Sequence, residues 1–220
     1  MTIRTLEDLS DKLDSELIWR KKELAELQAL IQLRSSSASK RNVLLRSATV
    51  ILYAHWEGFI KAAAVSYLEF VAMQRLRYDE LSCNFIALAM KEKLNQAKET
   101  NKAVIFTEVA DFFLTKLSER SSVPYKNVIQ TGSNLSSSIL REITLSLGLD
   151  YSLYETREVF IDEKLLSRRN NIAHGEYLTL DNEDYSELHD KVLEMMEIFR
   201  NQINNCAAIK SYCQARPQFN

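Results

Sequence analysis

The chain has 220 residues, 46% of them hydrophobic and 26% charged, a composition that excludes a wholly disordered chain and suits one globular domain. It contains only 4 Gly and 2 Pro, too few for the many turns of an all-β fold, so the composition favours helices. The formal net charge of −2 provides no global attraction to nucleic acid, so a polyanion would have to be held by a local patch.

The first predicted element is a long amphipathic helix. Six leucines and Ile31 recur at spacings of three, four or seven from Leu6 onward, with charged residues between them, which predicts about seven helical turns. Thr5 and Asp8 resemble a capping box at its start, and serines at 35–39 break the pattern after it. The narrow apolar stripe suits packing on this domain or on a second copy of the chain, and its spacing does not decide between them.

The second predicted element, over about 40–77, is the most hydrophobic segment. A helix that is apolar around so much of its circumference normally lies at the centre of a bundle. Arg46, His55, Glu57 and Lys61 interrupt it and would be costly in lipid, so we expect a core helix and no membrane span.

The rest of the chain is also predicted to be helical. We expect helices at 84–100, 103–119, 135–147 and 179–211, with a loop at 120–134 and a helix stop at Gly148. A further helix, which the Asp162 region begins and Gly175 ends, is expected before the last one. The predicted fold is therefore an all-α bundle forming a single domain over 1–220. In it, residues 1–34 form a helical arm and residues 40–212 form the bundle.

Neither a metal nor a cofactor is predicted. The sequence contains no glycine-rich phosphate loop, βαβ pattern or metal-ligand helix. Cys83, Cys206 and Cys213 are odd in number and lack the paired spacing of a zinc site, and the N-terminus carries no apolar signal segment. These features favour a reduced, cytoplasmic protein.

Reactive side chains gather where the helical pattern breaks, at residues 167–175. His174 is suited to exchange a proton near neutral pH, and Arg169 supplies a permanent charge with forked donors for a phosphate. Asn170 is suited to position a phosphate oxygen or the histidine tautomer. Since RNA carries its own 2′-hydroxyl nucleophile, such groups suffice to cut it without a metal and leave a 2′,3′-cyclic phosphate and a 5′-hydroxyl.

The spacing within this segment constrains the mechanism. Five residues on a straight helix turn through roughly 500°, which leaves Arg169 and His174 roughly 140° apart. Convergence requires either a bend near Gly175, which readily adopts a left-handed conformation, or the same segment of a second subunit. A two-fold cleft would also double the local positive charge.

Four further charged residues are candidates for the site, each with a simpler alternative. Glu57 lies in the most apolar helix, so it requires a partner, either a structural Arg or Lys or one of the motif residues, Arg169 or His174, that it would orient. Arg168, Lys61 and Lys164 are candidates for a phosphate-holding rim or for a solvated charged face. Charge and spacing also leave open whether Arg168 or Arg169 is the active arginine, and the Asn that follows Arg169 favours the latter.

The segments 169–174 and 56–61 resemble HEPN domains, all-helical modules marked by an Arg, four to six residues and a His. Here the motif reads Arg-Asn-Asn-Ile-Ala-His, and the central helix contains Trp-Glu-Gly-Phe-Ile-Lys, which is similar to HEPN proteins of the abortive-infection and toxin kind. Within the family, the chain most resembles the large group associated with the RiboL-PSP type.

The resemblance implies a metal-independent endoribonuclease that dimerises through its motif-bearing helices and serves in a toxin-antitoxin or antiphage system. Its implied partners are RNA, a second copy of the chain and a cognate antitoxin or defence protein. Some members of the family have lost catalysis and bind nucleotides or partners, so a catalytically silent HEPN module is the alternative. A plain helical scaffold that assembles through the N-terminal helix is a third.

Overall fold

The computed structural model describes residues 2–32, 37–100 and 102–214, and these residues form eight α-helices without an extended strand. The helices are α1 (Leu6–Gln32), α2 (Ala38–Met73), α3 (Cys83–Thr100), α4 (Ala103–Thr115), α5 (Ser137–Ser146), α6 (Ser152–Glu155), α7 (Ser167–Ala173) and α8 (Asn182–Ala208). A 3₁₀ turn at Tyr78–Glu80 precedes α3, and a π-helix at Phe160–Leu166 continues directly into α7. The all-α prediction is confirmed.

The long helix α2 is the centre of the bundle, as its hydrophobicity predicts. It packs against α1, α7 and α8, and α1 also packs against α8. Trp56, Phe59 and Tyr67 of α2 are completely buried, so aromatic side chains supply much of the apolar area at the centre. Within the described residues, no helix combines the length and apolarity needed to cross a lipid bilayer.

The apolar stripe of α1 faces its own domain. Leu9, Leu13 and Leu24 have no exposed surface, because they lie against α2 and α8. The predicted capping box is present: the Asp8 amide donates to the Thr5 hydroxyl at 3.0 Å, and the Thr5 amide donates to the Asp8 carboxylate at 2.9 Å. Of the serines that end the stripe, 35 and 36 lie outside the described residues, and Ser37 caps α2 by accepting from the Lys40 amide.

A buried arginine joins α1 to the centre of α2. Only 6% of Arg20 is exposed, and its Nη1 donates to Glu16 at 2.5 Å. Gly58 makes room for it, because a Cβ at that position would lie 3.3 Å from Arg20 Nη2. Gly58 lies between Glu57 and Phe59 of the segment that carries the family resemblance, so the same short segment packs on α1 and faces α7.

The Glu16→Gln variant should lose part of the acid sensitivity of folding. Burial opposes ionisation of Glu16, but hydrogen bonds from Lys12 and Arg20 outweigh it and lower the pKa of this carboxyl to about 2. A lowered folded-state pKa stabilises the protein above the unfolded value, near 4.5, and this contribution is lost as pH falls toward 2. We expect the variant to be about 1 kcal/mol less stable at pH 7 and nearly equal to wild type near pH 2. Urea unfolding at both pH values measures this, and an equal deficit at both would contradict the assignment.

The segment between α5 and α7 departs from the prediction. The Asp162 region was expected to begin the motif helix, but Asp162 lies inside the π-helix and caps α5 instead, accepting from the Ser137 amide at 2.7 Å and from its hydroxyl at 2.5 Å. The prediction was wrong because the sequence does not distinguish an aspartate that caps the next helix from one that caps a helix far away in the chain. At the other end of α5, Gly148 adopts φ +69° and stops the helix as expected.

Candidate functional site

The end of α7 is closed by a tight pair of backbone hydrogen bonds that fixes His174. The His174 amide still donates to the Asn170 carbonyl at 2.9 Å, so this residue remains on the helical path. Gly175 then turns left-handed with φ +82°, and the Glu176 amide returns to the Asn171 carbonyl at 2.8 Å, as in a Schellman motif. His174 is exposed, and among the described residues its imidazole has no hydrogen-bond or ion-pair partner.

Arg169, by contrast, points into the bundle and is held on three sides. Its Nη2 lies 3.9 Å from the Glu57 carboxylate and donates to the Ser133 carbonyl, and its guanidinium carbon lies 4.2 Å from the ring centre of Tyr53. The side chains of Arg169 and Glu57 are only 17% and 18% exposed. Such an arrangement combines an ion pair, a hydrogen bond and a cation–π contact in a poorly hydrated place.

Two further hydrogen bonds to Glu57 and Tyr53 attach the 131–137 segment to α2. Thr131 donates its hydroxyl to Glu57, and the Leu135 amide donates to the Tyr53 hydroxyl. Between them, Gly132 and Ser133 both have positive φ, +60° and +61°, in a turn closed from the Asn134 amide to the Thr131 carbonyl at 3.0 Å. A serine in this region is strained, and Arg169 binds the carbonyl of that same serine. Arg169 therefore fixes the loop as well as the motif helix.

Tyr53 remains a neutral member of this cluster at all ordinary pH values. Burial, together with the nearby Glu57 carboxylate, raises its pKa to about 12 against the opposing effect of Arg169. The phenol is therefore a constant partner for the Leu135 amide, and its ring forms a fixed face for the guanidinium.

The remaining predicted residues lie around α7 without joining this cluster. Arg168 points toward α8 and pairs with Asp184 at 3.0 Å. Asn170 is half-buried, and Lys61 and Lys164 are exposed. Both candidate arginines thus have a carboxylate partner, Asp184 for Arg168 and Glu57 for Arg169, and their partners are on different helices.

The structure brings Glu57 to Arg169 but does not bring Arg169 to His174. The glycine-dependent turn begins after His174, so it does not rotate this residue toward Arg169, and the roughly 140° separation of the helical path remains. The left-handed turn expected near Gly175 is present, but it follows His174 and leaves this residue on the helical path. The alternative, completion of the site by a second copy of the chain, stays a prediction.

The predicted site residues do not line the main cleft of the structure. This cleft, of about 820 Å³, lies between α3, residues 122–130 and α5. In residues 2–32, 37–100 and 102–214, no group of three or more His, Cys, Asp or Glu side chains is arranged to hold a metal ion.

Four residues of the site were not predicted from the sequence. Tyr53 precedes Glu57 by one helical turn, so it shares the face of α2 that meets α7, and this spacing was a usable signal. Thr131, Ser133 and Asp184 gave none, because their contacts depend on how distant segments pack.

A comparison with protein families places the whole bundle in one of them. The family model described as MAE_28990-like HEPN matches residues 9–212. Searches of curated proteins and of solved structures found no significant match. The match runs from residue 9, within α1, past the end of α8, and includes the motif helix. It names no RiboL-PSP group, so the likeness to that group stays a prediction.

Proposed function

Because the chain belongs to the HEPN family, whose members are often RNases, we propose that it is a metal-independent endoribonuclease that acts as a homodimer. Family membership itself supports an RNA-related role in general terms. The finer proposal rests on the residues at the end of α7.

The observation that carries the proposal is the state of His174. The imidazole is exposed and unengaged within the described structure, yet its backbone is fixed by the turn at Gly175. A general acid or base must reach its proton without first breaking another contact, and it gains from a rigid support. The simpler alternative is a structural histidine whose imidazole donates to carbonyls at the helix end. Among the described residues, the His174 imidazole makes no such hydrogen bond.

The chemical step uses one neutral and one protonated imidazole. A neutral His174 accepts the 2′-hydroxyl proton while the 2′-oxygen forms a bond to phosphorus. The bond from phosphorus to the 5′-oxygen breaks, and a protonated imidazole donates its proton to that leaving oxygen. The products are a 2′,3′-cyclic phosphate and a 5′-hydroxyl, with no net change in protons and no metal required.

A second copy of the chain supplies the second imidazole. In a two-fold arrangement of the α7 ends, two exposed histidines approach one phosphate from opposite sides, and the two motif surfaces together form a cleft. Asn170, Arg168, Lys61 and Lys164 lie on or near the motif helix and are the proposed phosphate-positioning groups. Arg169 stabilises the charge on phosphorus, either directly or by fixing the helix that carries the histidine.

We place this activity in a toxin-antitoxin or antiphage system in the cytoplasm, where a cognate partner holds the nuclease in check. An RNase with an exposed catalytic histidine would damage the RNA of its own cell, so a covering partner is the expected safeguard. The partner and the preferred RNA are further parts of the proposal.

A second candidate function is a catalytically silent HEPN module that binds a nucleotide or a partner protein. The engagement of Arg169 with Glu57, Ser133 and Tyr53 favours it, because a guanidinium already neutralised offers less charge to a phosphate. The two candidates differ in one measurable property, cleavage.

The test is incubation of the purified protein with structured and unstructured RNA in excess EDTA, followed by analysis of the ends. We expect fragments with a 2′,3′-cyclic phosphate and a 5′-hydroxyl. RNA left intact by the wild-type protein would reject the nuclease and leave the silent module. Sedimentation at micromolar concentration is the companion measurement, since a strictly monomeric protein that still cuts would reject the composite cleft alone.

A further inference from the structure

The loop that follows the motif presents an exposed aromatic ring beside an arginine. Tyr177, three residues after His174, is 79% exposed. Arg46 of α2 lies under it, with its guanidinium carbon 5.8 Å from the ring centre. Neither residue belongs to the Arg-x₄-His motif, and neither is used in the chemical step described above.

This loop is held at both ends, so the ring is displayed on a fixed support. Arg46 Nη2 donates to the Glu176 carbonyl at 2.9 Å, and at the other end the Leu180 amide donates to Asn42 of α2 at 3.4 Å. The turn at Gly175 sets the direction in which the loop leaves the helix. Tyr177 is thus held on a supported loop three residues after His174, and 79% of it remains exposed.

Arg46 also differs from the two arginines of the motif helix in its electrostatic surroundings. Arg168 and Arg169 each face a carboxylate, whereas Arg46 has no acidic side chain within 4.0 Å in the part of the chain that the structure describes. It bonds instead to the neutral carbonyl of Glu176, two residues after His174, so no ion pair offsets its positive charge. Its Nε hydrogen is buried without a partner among the described atoms.

We propose that Tyr177 and Arg46 form a substrate subsite beside His174, in which Tyr177 stacks on an unpaired nucleobase and Arg46 holds an adjacent phosphate. The inference rests on the proposed RNA-cleaving function and specifies its substrate as single-stranded at this position. Aromatic faces accept any base, and an arginine beneath the ring strengthens the platform. Bases in a duplex are already stacked and would have to be unpaired first.

The test measures RNA binding separately from cleavage. Fluorescence anisotropy with a labelled single-stranded oligoribonucleotide compares wild type, Tyr177→Ala, Tyr177→Phe and Arg46→Ala at several salt concentrations. We expect Tyr177→Ala to bind about 5- to 100-fold more weakly and Tyr177→Phe to bind almost as wild type does, since stacking needs the ring and not the hydroxyl. Arg46→Ala should reduce the salt slope by about one charge.

Two controls make the test specific. Phe113→Ala removes another exposed aromatic, on α4, and should leave binding unchanged. Arg46→Lys keeps both the positive charge and a donor for the Glu176 carbonyl, so it should keep the wild-type salt slope. A duplex RNA of the same sequence should bind the Tyr177 variants and the wild type alike, because its bases are not free to stack on Tyr177.

The outcomes distinguish this inference from the proposed function. If the protein cleaves RNA but Tyr177→Ala binds and cuts as wild type does, the subsite is overturned and the nuclease stands. If no cleavage occurs but Tyr177→Ala still weakens binding, the subsite stands and the nuclease fails. Absence of RNA binding by the wild-type protein overturns the subsite.

Discussion

The His174→Ala variant is expected to fold and bind RNA as wild type does but to cleave it about 100- to 10,000-fold more slowly, the usual loss when a general acid or base is removed. The imidazole is exposed and makes no described side-chain contact, so its removal should change the free energy of unfolding by less than about 0.5 kcal/mol. Single-turnover cleavage in EDTA measures the rate, and urea unfolding measures the stability.

A companion variant separates proton transfer from simple charge at this position. His174→Lys keeps a cation at the end of α7, but its ammonium stays protonated at neutral pH and makes a poor base. We expect it to be nearly as inactive as the alanine variant while binding RNA at least as tightly. Cleavage at the wild-type rate by either variant would remove His174 from the mechanism, and partial activity in the lysine variant alone would assign it a phosphate-holding role.

The Arg169→Ala variant is expected to unfold more easily, by about 2 to 3 kcal/mol, whatever its effect on cleavage. The substitution leaves the Glu57 carboxylate, which is only 18% exposed, without its cation and leaves the Ser133 carbonyl without its donor. Urea unfolding measures the effect. The strained turn at 132–133 should loosen at the same time, and faster amide exchange in the 131–137 segment would report this.

The matched control is Arg168→Ala, which removes an arginine from a more exposed pair with Asp184 and should cost about 1 kcal/mol or less. The double variant Arg169→Ala/Glu57→Ala should cost less than the sum of its single changes, since it leaves no uncompensated charge. An Arg169→Ala protein as stable as wild type would show that the cluster contributes little. Loss of cleavage in this variant is informative about catalysis only at temperatures where the variant is folded.

The sequence predicts the elements of this fold well because their signals are local. The spaced leucines of α1, the apolar run of α2 and the stop at Gly148 each act within a few turns of the chain. The π-helix at Phe160–Leu166 and the role of Asp162 were missed, because a register shift and a cap on a distant helix leave no trace in apolar spacing.

The site was only half predictable for the same physical reason. The reactive residues of α7 were identified by their chemistry, and the need of Glu57 for a partner follows from its apolar surroundings. Its choice of Arg169 over His174, and the attachment of the 131–137 segment to both α2 and α7, follow from packing between segments far apart in the chain. Likewise, Arg46 and Tyr177 become neighbours only once the end of α7 is placed against the start of α2.

The contact between Glu57 and Arg169 also limits how this protein can evolve. Each residue makes the other tolerable in a poorly hydrated place, so replacing one alone leaves a stranded charge and lowers fitness, whereas replacing both with apolar residues restores packing. A lineage that loses this ion pair needs two substitutions, in codons that lie far apart in the gene, and the intermediate with a single substitution is less stable. Positions 57 and 169 are therefore expected to be inherited as a pair, with lineages keeping both charges or neither.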